Sequence, residues 1–301
     1  MHPRPRHLLP IALAALAWVG AAAAGPVTKQ VKANGVAMTY VEEGAGEAIV
    51  FVHGAVSDER AWEPIRPAIA DDHRLIAPPL RYFGRGDWPD KGQRFGVATH
   101  ADDVVALIKA LGVEPVHLVG WSYGANVAMA AALESPDLVQ TLILFEPALG
   151  AFVAEGEAGA AAREAAGAMF GPVTQAVAAG DDTKAAQLLI EGVFELAPGD
   201  FDREPPQLHA MHLDNARTMP LLWAAFDQPS PVTCDKLQAF DRPTLIVYGA
   251  ETNAFFPAIA RGMRACLQGA ELAAQPKVKH DGPVHDPAGL AAMIEEFVAR
   301  H

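Results

Sequence analysis

Short apolar runs and longer stretches of helical periodicity alternate along most of the chain. The apolar runs occupy positions 48–52, 116–119, 141–145 and 244–248. Runs of four or five mainly apolar residues are typical of strands buried on both faces. Between them the spacing is helical, as in 99–111, where Val104, Ile108 and Leu111 recur every three or four positions. The pattern predicts an α/β fold: a mostly parallel sheet flanked by helices, with its ligand site beyond the carboxyl ends of the strands.

The pattern changes in the middle of the chain. Residues 148–231 contain alanine-rich helical stretches and no strand candidate, which predicts a helical cap inserted into the α/β core. The core is then formed by residues 25–147 and 232–301. It opens with two strands joined at Asn34-Gly35, a dipeptide that favours a tight hairpin.

The first 24 residues form a separate segment. Arg4 and Arg6 precede an apolar stretch at 8–19, and alanines fill positions 21–24. A basic start, a short apolar stretch and a small-residue end predict a signal peptide cleaved near Ala24. The stretch is shorter than the roughly 20 residues that span a bilayer. We therefore expect an exported protein, periplasmic or secreted, with no membrane association after cleavage.

Composition and charge narrow the range of partners. With 51% apolar and 20% charged residues, the chain can bury one large core. The formal net charge is −13, and loss of two arginines with the signal peptide makes it more negative. An acidic surface without basic clusters repels nucleic acid, so a small-molecule substrate is expected; the oligomeric state stays open.

The chain contains two cysteines, Cys234 and Cys266, which flank the strand expected at 244–248. They are too few for a disulfide scaffold or a cysteine-based zinc site. In an oxidising compartment they could form one crosslink, and otherwise they are two separate buried thiols. The sequence favours neither alternative.

The strongest chemical signal is the sequence Gly120-Trp121-Ser122-Tyr123-Gly124, which follows the strand expected at 116–119. A nucleophile on a sharp strand-to-helix turn needs small residues two positions before and two after it. With four serines and 26 glycines in the chain, chance alone would produce this spacing with a probability of only about 0.03. Ser122 is therefore predicted to be a nucleophile.

At this point the sequence resembles the α/β-hydrolase superfamily over nearly all of the expected mature chain. The resemblance rests on Phe51-Val52-His53-Gly54, Gly84-Arg85-Gly86, the Ser122 turn and a late histidine. It implies an oxyanion hole formed by the backbone N–H groups of Ala55 and Tyr123. The loop at 78–82 lacks the Asp of the Pro-Asp-x-Arg-Gly pattern, and the epoxide hydrolase and dehalogenase branches use Asp as nucleophile where this chain has Ser122.

The same resemblance implies the order serine, acid, histidine along the chain. His280 and His285 both lie in the expected loop before the last helix, and His280 is the preferred base. Two residues are candidates for the acid: Glu146, directly after the strand at 141–145, and Glu251, after the strand at 244–248. Glu146 is preferred because a charged residue at the end of an apolar strand is costly unless it is paired.

Two aromatic residues are candidates for the substrate pocket, Trp121 beside the nucleophile and Phe145 at a strand end; core packing is the alternative role for each. Together these residues predict a serine hydrolase that acts on a small ester or lactone through an acyl-enzyme on Ser122. No cofactor and no metal are expected. The alternatives are a cofactor-free perhydrolase on the same triad and a non-catalytic ligand-binding member of the fold.

Overall fold

The computed structural model describes residues 25–301. The expected signal peptide lies outside this range and stays a prediction. The described chain forms one eight-stranded sheet in the order β1-β2-β4-β3-β5-β6-β7-β8. The strands are β1 Val27–Ala33, β2 Val36–Glu43, β3 Ala48–Val52, β4 Arg74–Ala77, β5 Val116–Trp121, β6 Val139–Phe145, β7 Thr244–Gly249 and β8 Glu271–Gln275.

Strands β3 to β8 run parallel, while β1 and β2 form an antiparallel hairpin at one edge. All residues of β3 and β5 are buried, which is why they read as continuous apolar runs. The expected mostly parallel sheet flanked by helices is confirmed. The carboxyl ends of β3, β5, β6 and β7 lie side by side, so the residues that follow these strands meet at one edge of the sheet.

The described range contains eleven α-helices. They are α1 Arg66–Ile69, α2 Val97–Leu111, α3 Tyr123–Glu134, α4 Glu157–Ala178, α5 Asp182–Val193, α6 Pro206–Asn215, α7 Met219–Ala225, α8 Cys234–Gln238, α9 Phe255–Cys266, α10 Gly282–His285 and α11 Pro287–Val298. Helix α2 packs against α3, and α1 packs against α11. None of the helices between residues 25 and 301 has the length and apolar character needed to cross a membrane.

Helices α4 to α7 fall between β6 and β7, in the segment expected to form the cap. Helices α4 and α5 pack side by side, and α5 also contacts α6 and α7. Arg217, between α6 and α7, donates to the backbone oxygens of Gly84 and Gly86 at 2.8 and 2.6 Å. These contacts attach the helical segment to the loop that follows β4.

Cys234, at the start of α8, and Cys266, at the end of α9, form a disulfide with a Cα–Cα distance of 5.2 Å. The sequence left this pairing open. The crosslink joins the segment before β7 to the helix after it, so it connects the two elements that flank a central strand.

Candidate active site

Ser122 lies on the sharp turn between β5 and α3, with φ +56° and ψ −119°. Few side chains tolerate this left-handed region, and such residues cost about 1–3 kcal/mol unless their surroundings hold them. A Cβ atom on Gly120 would lie 2.6 Å from the Cα of Ala125, and one on Gly124 would overlap the carbonyl oxygens of Val52 and His53. Both glycines of the motif are therefore needed for close backbone packing around the serine.

Glu146 follows β6 directly and is completely buried, with φ +45°. Its Oε1 accepts a hydrogen bond from the Gly249 N–H at 2.8 Å, and its Oε2 lies 2.5 Å from His280 Nδ1. The Thr252 hydroxyl lies 3.4 Å from Oε2. A carboxylate can only accept, so it assigns the proton of the neutral imidazole to Nδ1 and leaves Nε2 free to accept a proton.

The His280 ring is held in place from two further sides. It stacks on Phe256 with a centroid distance of 4.1 Å and an interplanar angle of 16°. The Trp121 indole N–H donates to the His280 carbonyl oxygen at 3.0 Å. The ring and its backbone are thus fixed by groups other than Glu146, and His280 is 2% exposed.

The two alternative residues lie elsewhere. Glu251 is exposed, on a groove that contains neither Ser122 nor His280. The His285 side chain is 42% exposed and pairs with Asp281 at 3.2 Å. The structure therefore places Glu146 in contact with His280, and His280 at the same cavity as Ser122. It brings neither Glu251 nor His285 to this cavity.

The loop after β3, residues 53–58, is called the oxyanion loop below. His53 Nδ1 donates to the Gly54 carbonyl at 2.8 Å, and its Nε2 accepts from the Leu80 N–H at 2.9 Å. Burial lowers the pKa of His53 to about 4, so the ring is neutral at pH 7, as the accepting Nε2 requires. The C=O of Gly54 and the N–H of Ala55 belong to one planar peptide and point in opposite directions, so His53 also fixes the direction of the Ala55 N–H.

Ala55 and Tyr123 both line the cavity that contains Ser122. Within residues 25–301, neither of their backbone N–H groups donates to a protein acceptor. The Tyr123 hydroxyl points the other way and pairs with His100 Nδ1 at 2.8 Å. The two N–H groups are thus available to a ligand oxygen beside Ser122, as the sequence predicts for an oxyanion hole.

This cavity is bordered by both the core and the cap. Trp121 and Phe256 line it from the core side. The cap contributes apolar side chains from α4, α5, α7 and the residues after α5 and α7, among them Phe170, Leu189, Ile190, Phe194, Leu222 and Phe226. No signal in the sequence marks these cap residues, because apolar positions on short helices have the same pattern whether they face a core or a cavity.

Phe145 does not line the cavity, so its predicted role in the substrate pocket is corrected. Its side chain is fully buried, and a Cβ atom placed on Gly282 would lie 2.5 Å from its Cζ. The ring fills the space beneath the loop that carries His280, which is a packing role. No group of three His, Cys, Asp or Glu side chains suited to a metal ion occurs in residues 25–301.

The parallel sheet, the strained serine after β5 and the buried acid and histidine beside it define a hydrolase of the α/β-hydrolase class. The model of the α/β-hydrolase fold family matches residues 47–281, and the chain belongs to this family.

The individual proteins that the chain resembles have different names and activities. The soluble epoxide hydrolase of Corynebacterium sp. strain C12 is 35% identical over 117 residues, which are 39% of this chain and 40% of that protein. A bacterial membrane phospholipase A has a TM-score of 0.74 at 20% identity, over 92% of this chain and 86% of its own. Est816, described as an N-acyl homoserine lactone degrading enzyme, has a TM-score of 0.67 at 26% identity, over 89% and 100%.

The sequence match spans about two fifths of the length of the curated relatives.

Proposed function

We propose that the protein hydrolyses small carboxylic esters or lactones through an acyl-enzyme on Ser122. The observation that carries the proposal is the 2.5 Å contact between Glu146 and His280 Nδ1, at a cavity that His280 shares with Ser122. An acid that orients an imidazole beside an activated serine is the arrangement required for nucleophilic acyl transfer.

The reaction proceeds in two steps, acylation of Ser122 and hydrolysis of the acyl-enzyme. Ser122 Oγ attacks the carbonyl carbon while its proton passes to His280 Nε2, and the carbonyl oxygen becomes an oxyanion between the N–H groups of Ala55 and Tyr123. The C–O bond to the leaving group then breaks, and the His280 proton moves to the departing oxygen. In the second step water attacks the acyl-enzyme, gives its proton to His280, and releases the acid as Ser122 regains its hydrogen. Glu146 stabilises the imidazolium in both steps.

Two comparisons bear on the choice of bond. Est816 acts on a lactone by its description and exceeds 25% identity across most of both chains. The Corynebacterium relative is an epoxide hydrolase, but epoxide hydrolases use an aspartate nucleophile and this chain has Ser122 on its strained turn. A serine nucleophile beside an oxyanion hole suits a carbonyl carbon better than an epoxide.

We also propose that the enzyme acts outside the cytoplasm after cleavage near Ala24, on a small molecule and without a nucleic-acid partner. The acidic chain and the basic, apolar and alanine-rich segments of residues 1–24 support this.

The experiment that tests the activity compares the mature protein with its Ser122→Ala variant. We expect the mature protein to hydrolyse 4-nitrophenyl acetate and butyrate and to be labelled by a fluorophosphonate probe. Ser122→Ala should lose both properties. A mature protein that is inert to both esters and to the probe would overturn the proposal and favour a ligand-binding role.

A further inference from the structure

A second cavity lies next to the cavity at Ser122. Both cavities are bordered by Tyr123, Asn126, Ala148, Leu222 and Phe226. The border of the second cavity includes exposed residues of the segment after α7, so the second cavity opens to the surface. A path from the surface to Ser122 through the second cavity would pass these shared residues.

Neither cavity is bordered by an Asp, Glu, Lys or Arg side chain of the described chain. The polar groups of Asn126 are occupied, because its side chain exchanges two hydrogen bonds with the backbone of Ala148 at 2.9 and 3.3 Å. The whole chain carries a formal net charge of −13, so an anion is also repelled at long range. A carboxylate that enters this path loses its water and finds no cation to replace it.

Resting on the proposed function, we infer that the natural substrate is an uncharged ester or lactone with apolar substituents, and that the second cavity is its entry path. Carboxylate-bearing esters and lactones are excluded as efficient substrates. Hydrolases that act on substrates with a free carboxylate need a basic side chain near the acyl chain to pair with it. Within residues 25–301, the absence of such a side chain from both cavities distinguishes this protein from them.

A matched pair of substrates tests the inference. Mono(4-nitrophenyl) adipate and its methyl ester carry the same acyl chain and leaving group and differ in one negative charge; the adipate chain is too long for its carboxylate to displace the leaving group readily by itself. We expect kcat/KM for the charged ester to be at least about 100-fold lower, as the loss of carboxylate hydration requires. If kcat/KM is similar for the two esters and hydrolysis depends on Ser122, this inference is overturned and the proposed function stands. If the mature protein is inactive on both esters and is not labelled by a fluorophosphonate, the proposed function itself is overturned.

A variant at the outer cavity adds a control. Ala151 borders the second cavity and is exposed, so a longer side chain there has room in solvent. Ala151→Arg should raise kcat/KM for the charged ester several-fold relative to that for the methyl ester, whereas Ala151→Glu should not help the charged ester. Equal effects of Arg and Glu on the charged ester would contradict the assignment of the second cavity as the entry path.

A different observation concerns the oxyanion loop, which is attached to the cap through α6. His212 Nδ1 donates to the Val56 carbonyl oxygen at 2.8 Å, and Asn215 Nδ2 donates to Asp58 Oδ2 at 2.7 Å. Val56 has φ +52°, an unfavourable conformation for a β-branched residue that needs support from its surroundings. His212 holds the carbonyl of this strained residue, directly after the Ala55 donor.

We propose that His212 is a positioning residue for the reaction assigned above: it holds the oxyanion loop so that the Ala55 N–H stays aimed at the developing oxyanion. His53 fixes the peptide on one side of Ala55, and His212 fixes the backbone on the other side. The cap thereby contributes to transition-state stabilisation as well as lining the pocket.

Two amide variants separate the nitrogen atoms of His212. Asparagine places its N–H near the position of Nδ1, and glutamine near that of Nε2, so His212→Asn should keep kcat within about threefold. His212→Gln should lower kcat by roughly 10–100-fold with little change in KM, because misplacing an oxyanion donor costs less than removing it. The affinity for a trifluoromethyl ketone, which forms a tetrahedral adduct, should fall in parallel.

His209→Asn is the matched control on the same helix, because His209 contacts Asp202 and Phe201 and not the oxyanion loop. Asn215→Leu removes the neighbouring contact to Asp58 and should also lower kcat rather than raise KM, which keeps the test decisive if His212→Gln does not fold. A folded His212→Gln or Asn215→Leu enzyme with wild-type kcat and ketone affinity would overturn the proposal, while the activity of Ser122 would stand.

Discussion

Three residues with positive φ that are not glycine either border the cavity at Ser122 or directly adjoin a residue that does. They are Val56 at +52°, Ser122 at +56° and Glu146 at +45°. Backbone strain of this kind persists where surrounding contacts hold it, and it is concentrated at functional sites. Each of the three follows a central strand of the sheet, so the fold places the strain where the proposed chemistry needs fixed groups.

At this scale the sequence predicted some positions and not others. The glycines at 120 and 124 indicated Ser122 because backbone crowding leaves no room for a side chain there. Glu146 was found by its place after an apolar run, whereas the roles of Val56 and His212 left no local signal. Their contact joins residues 156 positions apart, and a single sequence without homologues does not report such pairs.

The acid gives the first prediction. Glu146→Gln keeps the size of the side chain but removes the negative charge that orients His280 and stabilises its cation. We expect kcat for 4-nitrophenyl butyrate to fall by about 10³–10⁴-fold with normal folding by circular dichroism. Glu251→Gln is the matched control and should stay within about twofold, because the Glu251 side chain is exposed and does not border the cavity. Equal losses in the two variants would contradict the assignment of the acid.

A second prediction concerns Gly124, the glycine two positions after Ser122. Gly124→Ala places a Cβ against the carbonyl oxygens of Val52 and His53, so the turn must shift. We expect the free energy of unfolding to fall by at least about 2 kcal/mol, measured by urea denaturation. Gly167 lies within α4 with open space around its Cα, and Gly167→Ala should instead stabilise the protein by about 0.5–1 kcal/mol. A neutral Gly124→Ala would mean that the turn tolerates more than its contacts suggest.

At the scale of elements, hydrophobic periodicity predicted the strands and the core helices. It did not predict which cap residues border the cavity. The cap helices α4 to α7 were expected as a helical insertion, and their apolar residues at the cavity were indistinguishable from ordinary core residues. Phe145 shows the converse error: its place at a strand end suggested a pocket role, while the loop carrying His280 covers it completely. Which face of an element meets a cavity depends on how elements pack, and periodicity alone does not contain that information.

The third prediction concerns the titration of Glu204, in the segment that precedes α6. Glu204 lies 3.7 Å from His212 Nε2 with its side chain 4% exposed, and burial raises its pKa from 4.5 to about 7. The folded state therefore binds more protons than the unfolded state between these two values, so stability falls as the pH rises through this range. The difference corresponds to about 3 kcal/mol as an order of magnitude.

Glu204→Gln removes this titration. Its free energy of unfolding relative to the wild type should increase between pH 5 and pH 8 by roughly 2–3 kcal/mol, measured by urea denaturation at both pH values. Glu164 on α4 is exposed, and Glu164→Gln should show no such change. A constant difference between Glu204→Gln and the wild type across this range would show that the acid is not held neutral by burial.

At the scale of the whole molecule, the sequence predicted the fold class and the order of its parts, because alternating strands and helices restrict the topology strongly. It left the crosslink between α8 and α9 open, since the separation of Cys234 and Cys266 is a property of the assembled fold. The disulfide and the first 24 residues lead to the same expectation. Stable disulfides form in oxidising compartments, and a signal peptide leads to one.

The last prediction joins these two features. Expressed with its own first residues in a Gram-negative bacterium, the protein should be recovered from the periplasm with a first residue at Gly25 and no free thiol, as mass spectrometry before and after alkylation can show. A variant lacking residues 2–24 should remain in the cytoplasm with both cysteines open to alkylation. Unfolding of the exported form should become easier by about 2–4 kcal/mol on reduction.

Activity distinguishes a structural crosslink from a functional one. Cys234 and Cys266 lie outside the residues that border the cavity, so the reduced enzyme should keep its kcat at temperatures where it remains folded. Cys234→Ser/Cys266→Ser should match the reduced protein in both stability and kcat, because it lacks the same bond and leaves the same cavity. A periplasmic protein with an uncleaved first segment, or one whose two thiols react fully without reductant, would contradict the expectation that export and the crosslink belong together.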